Sequence, residues 1–240
     1  MRLDLLLVRK GLAESREKAK RLIMAGLVNV NQVPVDKPGN LISASSEITL
    51  KKPPSPYVSR GGLKLEAALN HFSPEIIGKV LMDVGSSTGG FTDCLLQRGA
   101  RRIIAVDVGY GQLHWRLRED PRVRVFERTN IRYMQSQDLN EEVHGAVIDV
   151  SFISLKLVVP PVSDLLLKNA FIMALIKPQF EVGKGLVGKG GVVRDPLLHE
   201  KVIHDLATFF QGVGWITSTA FPSPILGPKG NREFFMLLRR

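Results

Sequence analysis

Val80-Leu81-Met82-Asp83-Val84-Gly85-Ser86-Ser87-Thr88-Gly89-Gly90-Phe91-Thr92 is the stretch that decides the fold. A five-residue run suited to a buried strand enters a glycine-rich turn, and a helix is expected to begin near Phe91. Glycines at such a turn let the main chain bend sharply and approach a ligand with no Cβ in the way. Outward from there the pattern repeats. Apolar runs at 103–108, 146–150 and 171–176 each fit a buried strand, with helical segments between several of them. The alternation predicts an α/β fold: a Rossmann-like, doubly wound sheet with helices on both faces. Function is then expected just beyond the carboxyl ends of the strands, near a reversal of strand order.

The glycines follow G-x-x-x-G-G from Gly85 to Gly90, not the G-x-G-x-x-G of pyrophosphate-binding loops. Asp107, at the end of the next strand, offers a carboxylate to the hydroxyls of a ribose. Together these features suggest an adenosine ligand without a pyrophosphate, for which S-adenosyl-L-methionine is the candidate. A second glycine-rich stretch, 183–190, nearly spells a P-loop but has Gly190 where a Ser or Thr must reach Mg²⁺. It is read as a mobile basic loop near a nucleic-acid substrate.

The chain of 240 residues carries 33 Lys+Arg against 23 Asp+Glu, a formal charge of +10, which fits one full domain plus a small appendage. With 44% hydrophobic and 23% charged residues it has the composition of a folded protein. The lone cysteine, Cys94, excludes an internal disulfide framework and a Cys-based zinc cluster, and is expected to be buried in an amphipathic helix. The histidines show no metal-ligand spacing, so no metal is expected. His144 is read as solvated, and Trp115 and Trp215 as core residues. The first residues lack a signal-peptide pattern, and the apolar stretches 157–167 and 170–176 fall short of the roughly 18 residues that span a bilayer. A reducing, cytoplasmic setting away from membranes is the expectation.

Charge is concentrated at the front. Residues 1–60 hold 11 basic and 5 acidic side chains, and a polyanion such as RNA gains affinity from such a patch by releasing counterions. Residues 2–10 read as a helix with Leu3, Leu6 and Leu7 on one face. Ser15 is a candidate N-cap for a second helix reaching Met24, with Gly26 at its stop. Arg16, Lys18, Lys20 and Arg21 on that helix, with Arg2, are the candidate RNA contacts. Short strands follow at 27–30 and 48–50, and the proline-dense 52–56 marks a semi-rigid linker.

This helix-helix-β arrangement, with the run SREKAKRLIMAGLVNVNQ, resembles the S4-like RNA-binding domain over residues 1–52, leaving 53–59 as linker and 60–240 as a catalytic domain. Lys64, Asp149, Lys177 and Glu233, taken with DVGSSTGGFTD, resemble the K-D-K-E tetrad of FtsJ-like 2′-O-ribose methyltransferases. The two halves together resemble the TlyA (haemolysin A) family of ribosomal RNA methyltransferases. VSRGGLKLEAAL, VDVGYGQL, DVSFISL, LIKPQFE and GNREFF are the other segments that carry the resemblance.

The resemblance implies S-adenosyl-L-methionine-dependent 2′-O-methylation of cytidine in bacterial ribosomal RNA. The large-subunit 23S RNA is the expected target for a chain of the shorter type, and longer members also modify 16S RNA. Ribosomal RNA or ribosomal subunits would be the partners, with no obligate protein partner. Lys177 would act as general base or orient the hydroxyl. Asp149 would hold both amines near the sulfonium, and Glu233 would fix the second lysine's rotamer. Asp83, Gly85, Ser87, Gly89, Gly90 and Phe91 would surround the cofactor, with Asp107 on its ribose and Asn130 near adenine. Phe91 departs from the tryptophan of some FtsJ relatives. Residues 57–60 would couple RNA docking to the active site, with Arg60 among the RNA contacts.

Three other readings stand beside this one. Asp149-Val150-Ser151-Phe152 resembles the acidic-Pro-Pro-aromatic motif with which base N-methyltransferases grip a flipped base, but it lacks both prolines, and Lys64 and Lys177 favour ribose. A non-catalytic RNA-binding assembly factor would need only the front domain. A membrane-active haemolysin would need a spanning segment or export signal.

Overall fold

The computed structural model describes residues 1–24, 26–50 and 56–240, and the chain divides into two compact units, 1–55 and 56–240. Of the expected linker, residues 53–55 lie outside the described residues. Residues 56–59 pack on the second unit. The Val58 N–H donates to Asp93 (2.8 Å), Gln97 donates to the Pro56 carbonyl (3.1 Å), and the Tyr57 hydroxyl donates to Glu66 (2.8 Å).

In the first unit, α1 (Leu3–Arg9) and α2 (Arg16–Met24) precede β1 (Val28–Val30), β2 (Val33–Pro34) and β3 (Ile48–Leu50). The Ser15 hydroxyl accepts from the Lys18 N–H at 3.2 Å, the capping bond expected of it. Leu3, Leu7, Ala19, Ile23, Val28 and Val30 form the core. β2 was not anticipated. It exists because Asn31 and Gln32 both take positive φ, which closes a two-residue hairpin with β1 and pairs Val30 with Val33.

The second unit runs α3 (Gly61–Phe72), β4 (Val80–Val84), α4 (Gly90–Gln97), β5 (Arg102–Val106), α5 (Trp115–Arg118), β6 (Val123–Phe126), β7 (Gly145–Ile148), α6 (Leu155–Asp164), β8 (Phe171–Ile176), α7 (Pro196–Gly212), β9 (Ile216–Thr217), β10 (Phe221–Pro222) and β11 (Phe234–Arg239). Its sheet has the order β10-β11-β8-β7-β4-β5-β6, with β9 on β11. Strands β4 to β8 are mutually parallel, and β11 is antiparallel to β8. The α/β expectation holds for the parallel part; the antiparallel C-terminal edge and β6 were missed. In β6 the charged Arg124 interrupts the apolar run, and its guanidinium bonds the carbonyls of Asp138 and Leu139.

Side-chain alternation along β4 builds both layers. Val80, Met82 and Val84 pack with α6 and α7 through Val158, Leu206 and Phe210. Leu81 packs on the opposite face with Leu65 of α3 and Leu95 of α4. Cys94 lies in this second layer, and burial pushes its thiol up to about 12. Trp215 is in the core, but Trp115 is 62% exposed and stacks on His114, because its short helix sits at the surface. His144 is half-buried rather than solvated.

Candidate active site

The chain leaves β4 for β5 and β6 on one side and returns to β7 and β8 on the other, so strand order reverses between β4 and β7. Beyond the carboxyl ends of these two strands lie two cavities of about 390 and 480 Å³ that share Gly85, Ser87 and Asp149 in their walls. Gly85 has φ +84°, and a Cβ there would stand 2.5 Å from the Asp149 carbonyl oxygen. The turn therefore passes directly over the end of β7. Asp107 accepts the Ser87 N–H (2.8 Å) and the Gly109 N–H (2.7 Å), which ties the glycine turn to the end of β5.

The larger cavity is walled by Asp107, Gln112, Asn130 and the segment Asp149–Ile153. The Asn130 side-chain oxygen accepts the Arg132 N–H at 3.1 Å, so its amide nitrogen is the group left for a ligand. The smaller cavity is walled by Ser59, Arg60, Lys64, Gly90, Phe91 and the strap Ile225–Pro228. Of the cofactor residues read from the sequence, Gly85, Ser87, Gly90, Phe91, Asp107 and Asn130 line these cavities.

Two do not. Asp83 is fully buried and accepts the Thr92 hydroxyl at 2.6 Å; burial pushes its carboxyl up to about 7, opposed by that bond and reinforced by Asp149 and Asp107. Gly89 turns its back to the site, since a Cβ there would collide with Leu113 and Leu117. Both shape the turn from behind. Arg60, expected on the RNA-binding side, lies on the wall of the smaller cavity.

The four charged residues form two ion pairs. Lys64 Nζ lies 2.6 Å from Glu233 Oε2, with 11% and 0% of the side chains exposed. Lys177 Nζ lies 2.6 Å from Asp149 Oδ1 and donates to the Ser151 hydroxyl at 3.0 Å. Glu233, expected to fix the rotamer of the second of the two lysines, has its carboxylate on Lys64. Asp149, expected to hold both amines, pairs with Lys177. Gly227 makes this close packing feasible, as a Cβ there would strike the Glu233 carboxylate.

The loop between β7 and α6 holds Ser151 and Phe152, for which the sequence suggested a role only in the rival base-gripping motif. Phe152 has φ +64°, is 90% exposed, and its ring centroid lies 4.9 Å from that of Phe180. A strained, exposed aromatic at a cavity rim is a signal of function that sequence does not carry. Glu181 holds this loop by accepting the Ser154 hydroxyl (2.6 Å) and the Leu155 N–H (2.8 Å), and burial raises its pKa. Asn231 joins the 183–193 loop to the strap, accepting the Val193 N–H and donating to the Gly191 and Pro228 carbonyls. No P-loop forms at 183–190, where only a single turn of 3₁₀ helix interrupts the loop.

In the first unit Arg16, Lys18 and Arg21 are exposed on α2, while Lys20 pairs with Glu17. No helix among the described residues is long and apolar enough to cross a membrane.

Residues 57–240 match the FtsJ-like methyltransferase family, and residues 1–48 match the S4 domain. The chain belongs to the FtsJ-like methyltransferase family. Its FtsJ-like relatives include "16S/23S rRNA (cytidine-2'-O)-methyltransferase TlyA" of Mycobacterium tuberculosis, 46% identical over 99% of this chain and 89% of that protein. Another, "Putative rRNA methyltransferase YqxC" of Bacillus subtilis, is 52% identical over 99% of this chain and 85% of that protein. A solved structure named "Putative hemolysin from Streptococcus thermophilus" superposes with a TM-score of 0.77 at 45% identity, covering all of this chain and 88% of its own.

Proposed function

We propose that this FtsJ-like protein uses S-adenosyl-L-methionine to methylate the 2′-oxygen of a cytidine in bacterial ribosomal RNA, the 23S RNA first. The observation that carries the reading is the Lys177 ammonium, held between Asp149 and Ser151 at the end of the strand beside the glycine turn. The residues present suit the cofactor. Gly85, packed against the Asp149 main chain with no room for a Cβ, lines both cavities with bare backbone, and Asp107 supplies the acid for a ribose diol. When bound, S-adenosyl-L-methionine supplies a methyl group on a sulfonium that leaves readily, so aiming the attacking oxygen matters as much as removing its proton.

An ammonium offers three donors; Lys177 gives one to the Ser151 hydroxyl and is paired by charge with Asp149. The ammonium can donate a remaining N–H to a substrate hydroxyl oxygen and so aim its lone pair; it would take up the hydroxyl proton only after first losing one of its own and becoming the neutral amine. Lys64, clamped by Glu233, places a second fixed cation on the wall of the smaller cavity, suited to the ribose-phosphate side of the substrate. Phe152 offers its exposed ring as a stacking surface for an unstacked base. The S4 unit supplies sequence-tolerant attraction for folded RNA.

The test is transfer of tritiated methyl groups to separated ribosomal subunits by wild type and Lys177→Ala, followed by mass spectrometry of the nucleosides. Methyl on the ribose of cytidine, absent with the variant, is the expected result. A methylated base with unmodified ribose would favour the base N-methyltransferase reading, and the absence of any methyl transfer would favour the non-catalytic one.

A further inference from the structure

Within the S4 unit, the basic residues expected to meet RNA are not equivalent, and the difference lies in an acid. Asp4 is completely buried, yet its carboxylate takes three guanidinium bonds: Arg2 Nε to Oδ1 at 3.0 Å, Arg2 Nη2 to Oδ2 at 3.0 Å, and Arg16 Nε to Oδ2 at 2.9 Å. It also accepts the Leu5 N–H at 3.0 Å. The arginines are 42% and 49% exposed at their side chains. The carboxylate therefore sits underneath two part-exposed arginine side chains, with the Arg2 guanidinium lying beside Gly39.

Arg2 and Arg16 come from different helical segments, and both bond the same oxygen, so the bonded nitrogens are no more than about 6 Å apart. Two guanidiniums this close repel one another unless an anion lies between them. Asp4 is that anion, and the Arg2 hydrogen bond with the Arg16 charge holds its carboxyl well below the usual carboxylate range. Among the described residues no partner occupies Arg2 Nη1 or either Nη of Arg16. Guanidinium edges held rigid with their outer N–H groups free match the planar, multi-donor recognition of a phosphodiester. A free arginine of this kind would lose rotamer entropy on binding, and one fixed in advance loses less.

We infer that Asp4 is a positioning residue that holds Arg2 and Arg16 as a paired fork for a backbone phosphate of folded RNA. The inference rests on the RNA-binding reading of this unit and deepens it. It also opposes what net charge alone dictates, since removing Asp4's charge makes the protein more basic yet weakens its hold on RNA.

The experiment measures affinity of the full chain for deproteinised 23S ribosomal RNA by filter binding across a salt series. Wild type, Asp4→Asn, the double variant Arg2→Met/Arg16→Met, and the triple variant are compared. Asp4→Asn is expected to bind about tenfold more weakly, with a salt slope shallower by about 1 to 2 as the phosphate contacts are lost. In the Arg2→Met/Arg16→Met background the Asp4 change should add less than twofold, because its effect passes through those two arginines. Asp4→Asn binding as tightly as wild type, or tighter, overturns the inference while the double variant's loss keeps the RNA reading intact. A further severalfold loss in the triple variant also overturns it, marking Asp4 as a support of the unit's fold. A double variant that binds like wild type rejects RNA contact at this face altogether.

Discussion

Glu233 closes an ion pair of 2.6 Å with Lys64, a residue 169 positions earlier in the chain. The register of β11 on β8, with Phe234 opposite Ile176, brings Glu233 level with Lys177 at the strand ends. Alternation puts its side chain on the Phe235 face, the layer that holds Leu65 of α3, where it meets Lys64 while Lys177 turns to Asp149. The pair stations a fixed cation beside the cavity.

A buried pair of this kind is costly to break from one side. Lys64→Met leaves the Glu233 carboxylate buried without its partner and should lower unfolding free energy by about 3–5 kcal/mol. Lys64→Met/Glu233→Leu should recover most of that stability while remaining inactive in methyl transfer. Denaturant titrations paired with the tritium assay check both; a double variant as unstable as the single one contradicts the account.

Ser151 should matter to turnover and not to binding. Ser151→Ala removes one of the two groups that hold Lys177, so kcat should fall about tenfold with KM for RNA and cofactor affinity within twofold. Ser151→Thr, which keeps a hydroxyl, should restore most of the rate. Steady-state kinetics on subunits read the split, and a rise in KM with unchanged kcat would assign Ser151 to substrate binding instead.

Asp83 makes stability depend on pH in a direction opposite to that of most acids. Its carboxyl is raised from 3.8 to about 7 in the folded chain. Between those values the folded state keeps a proton that the unfolded chain has released, so stability declines as pH rises from about 4 to about 7 and levels off above. Asp83→Asn, neutral at every pH, should lack this decline. Unfolding free energies of the two proteins across pH 4–8 should therefore converge at the acid end and separate toward neutrality; parallel curves would count against a raised Asp83.

Gly85→Ala should abolish the cofactor site. The added Cβ meets the Asp149 carbonyl and the backbone holds φ +84°, a conformation costing a non-glycine residue about 1–3 kcal/mol. Relief requires β4 and β7 to part where both cavities meet. Calorimetry should show S-adenosyl-L-methionine binding weakened more than about tenfold, and unaltered affinity would mean that the turn adapts.

The parallel strands, the glycine turn and the basic first unit were legible because each is written in neighbouring residues: apolar runs, glycine spacing and local charge. β6 and the antiparallel edge were harder to see. Arg124 breaks the apolar pattern of the first, and β9 and β10 are only two residues long and take their strand character from β11. At the site, Lys64, Asp149, Lys177 and Glu233 could be picked out by type and order, but Ser151 looked like any loop serine, and Phe152 gave no hint of its left-handed backbone and exposed ring.

By itself, then, the chain's order of residues determined the α/β character, the place of the glycine turn and the four charged residues that the fold brings into two ion pairs. Which acid holds which lysine, that Asp83 and Gly89 stand behind the turn, and that Asp4 joins Arg2 to Arg16 were decided by tertiary structure alone. The reason is physical. Periodicity and turn chemistry act over a few residues, whereas a salt bridge forms wherever strand register, side-chain face and burial bring two charges within reach, at any separation along the chain.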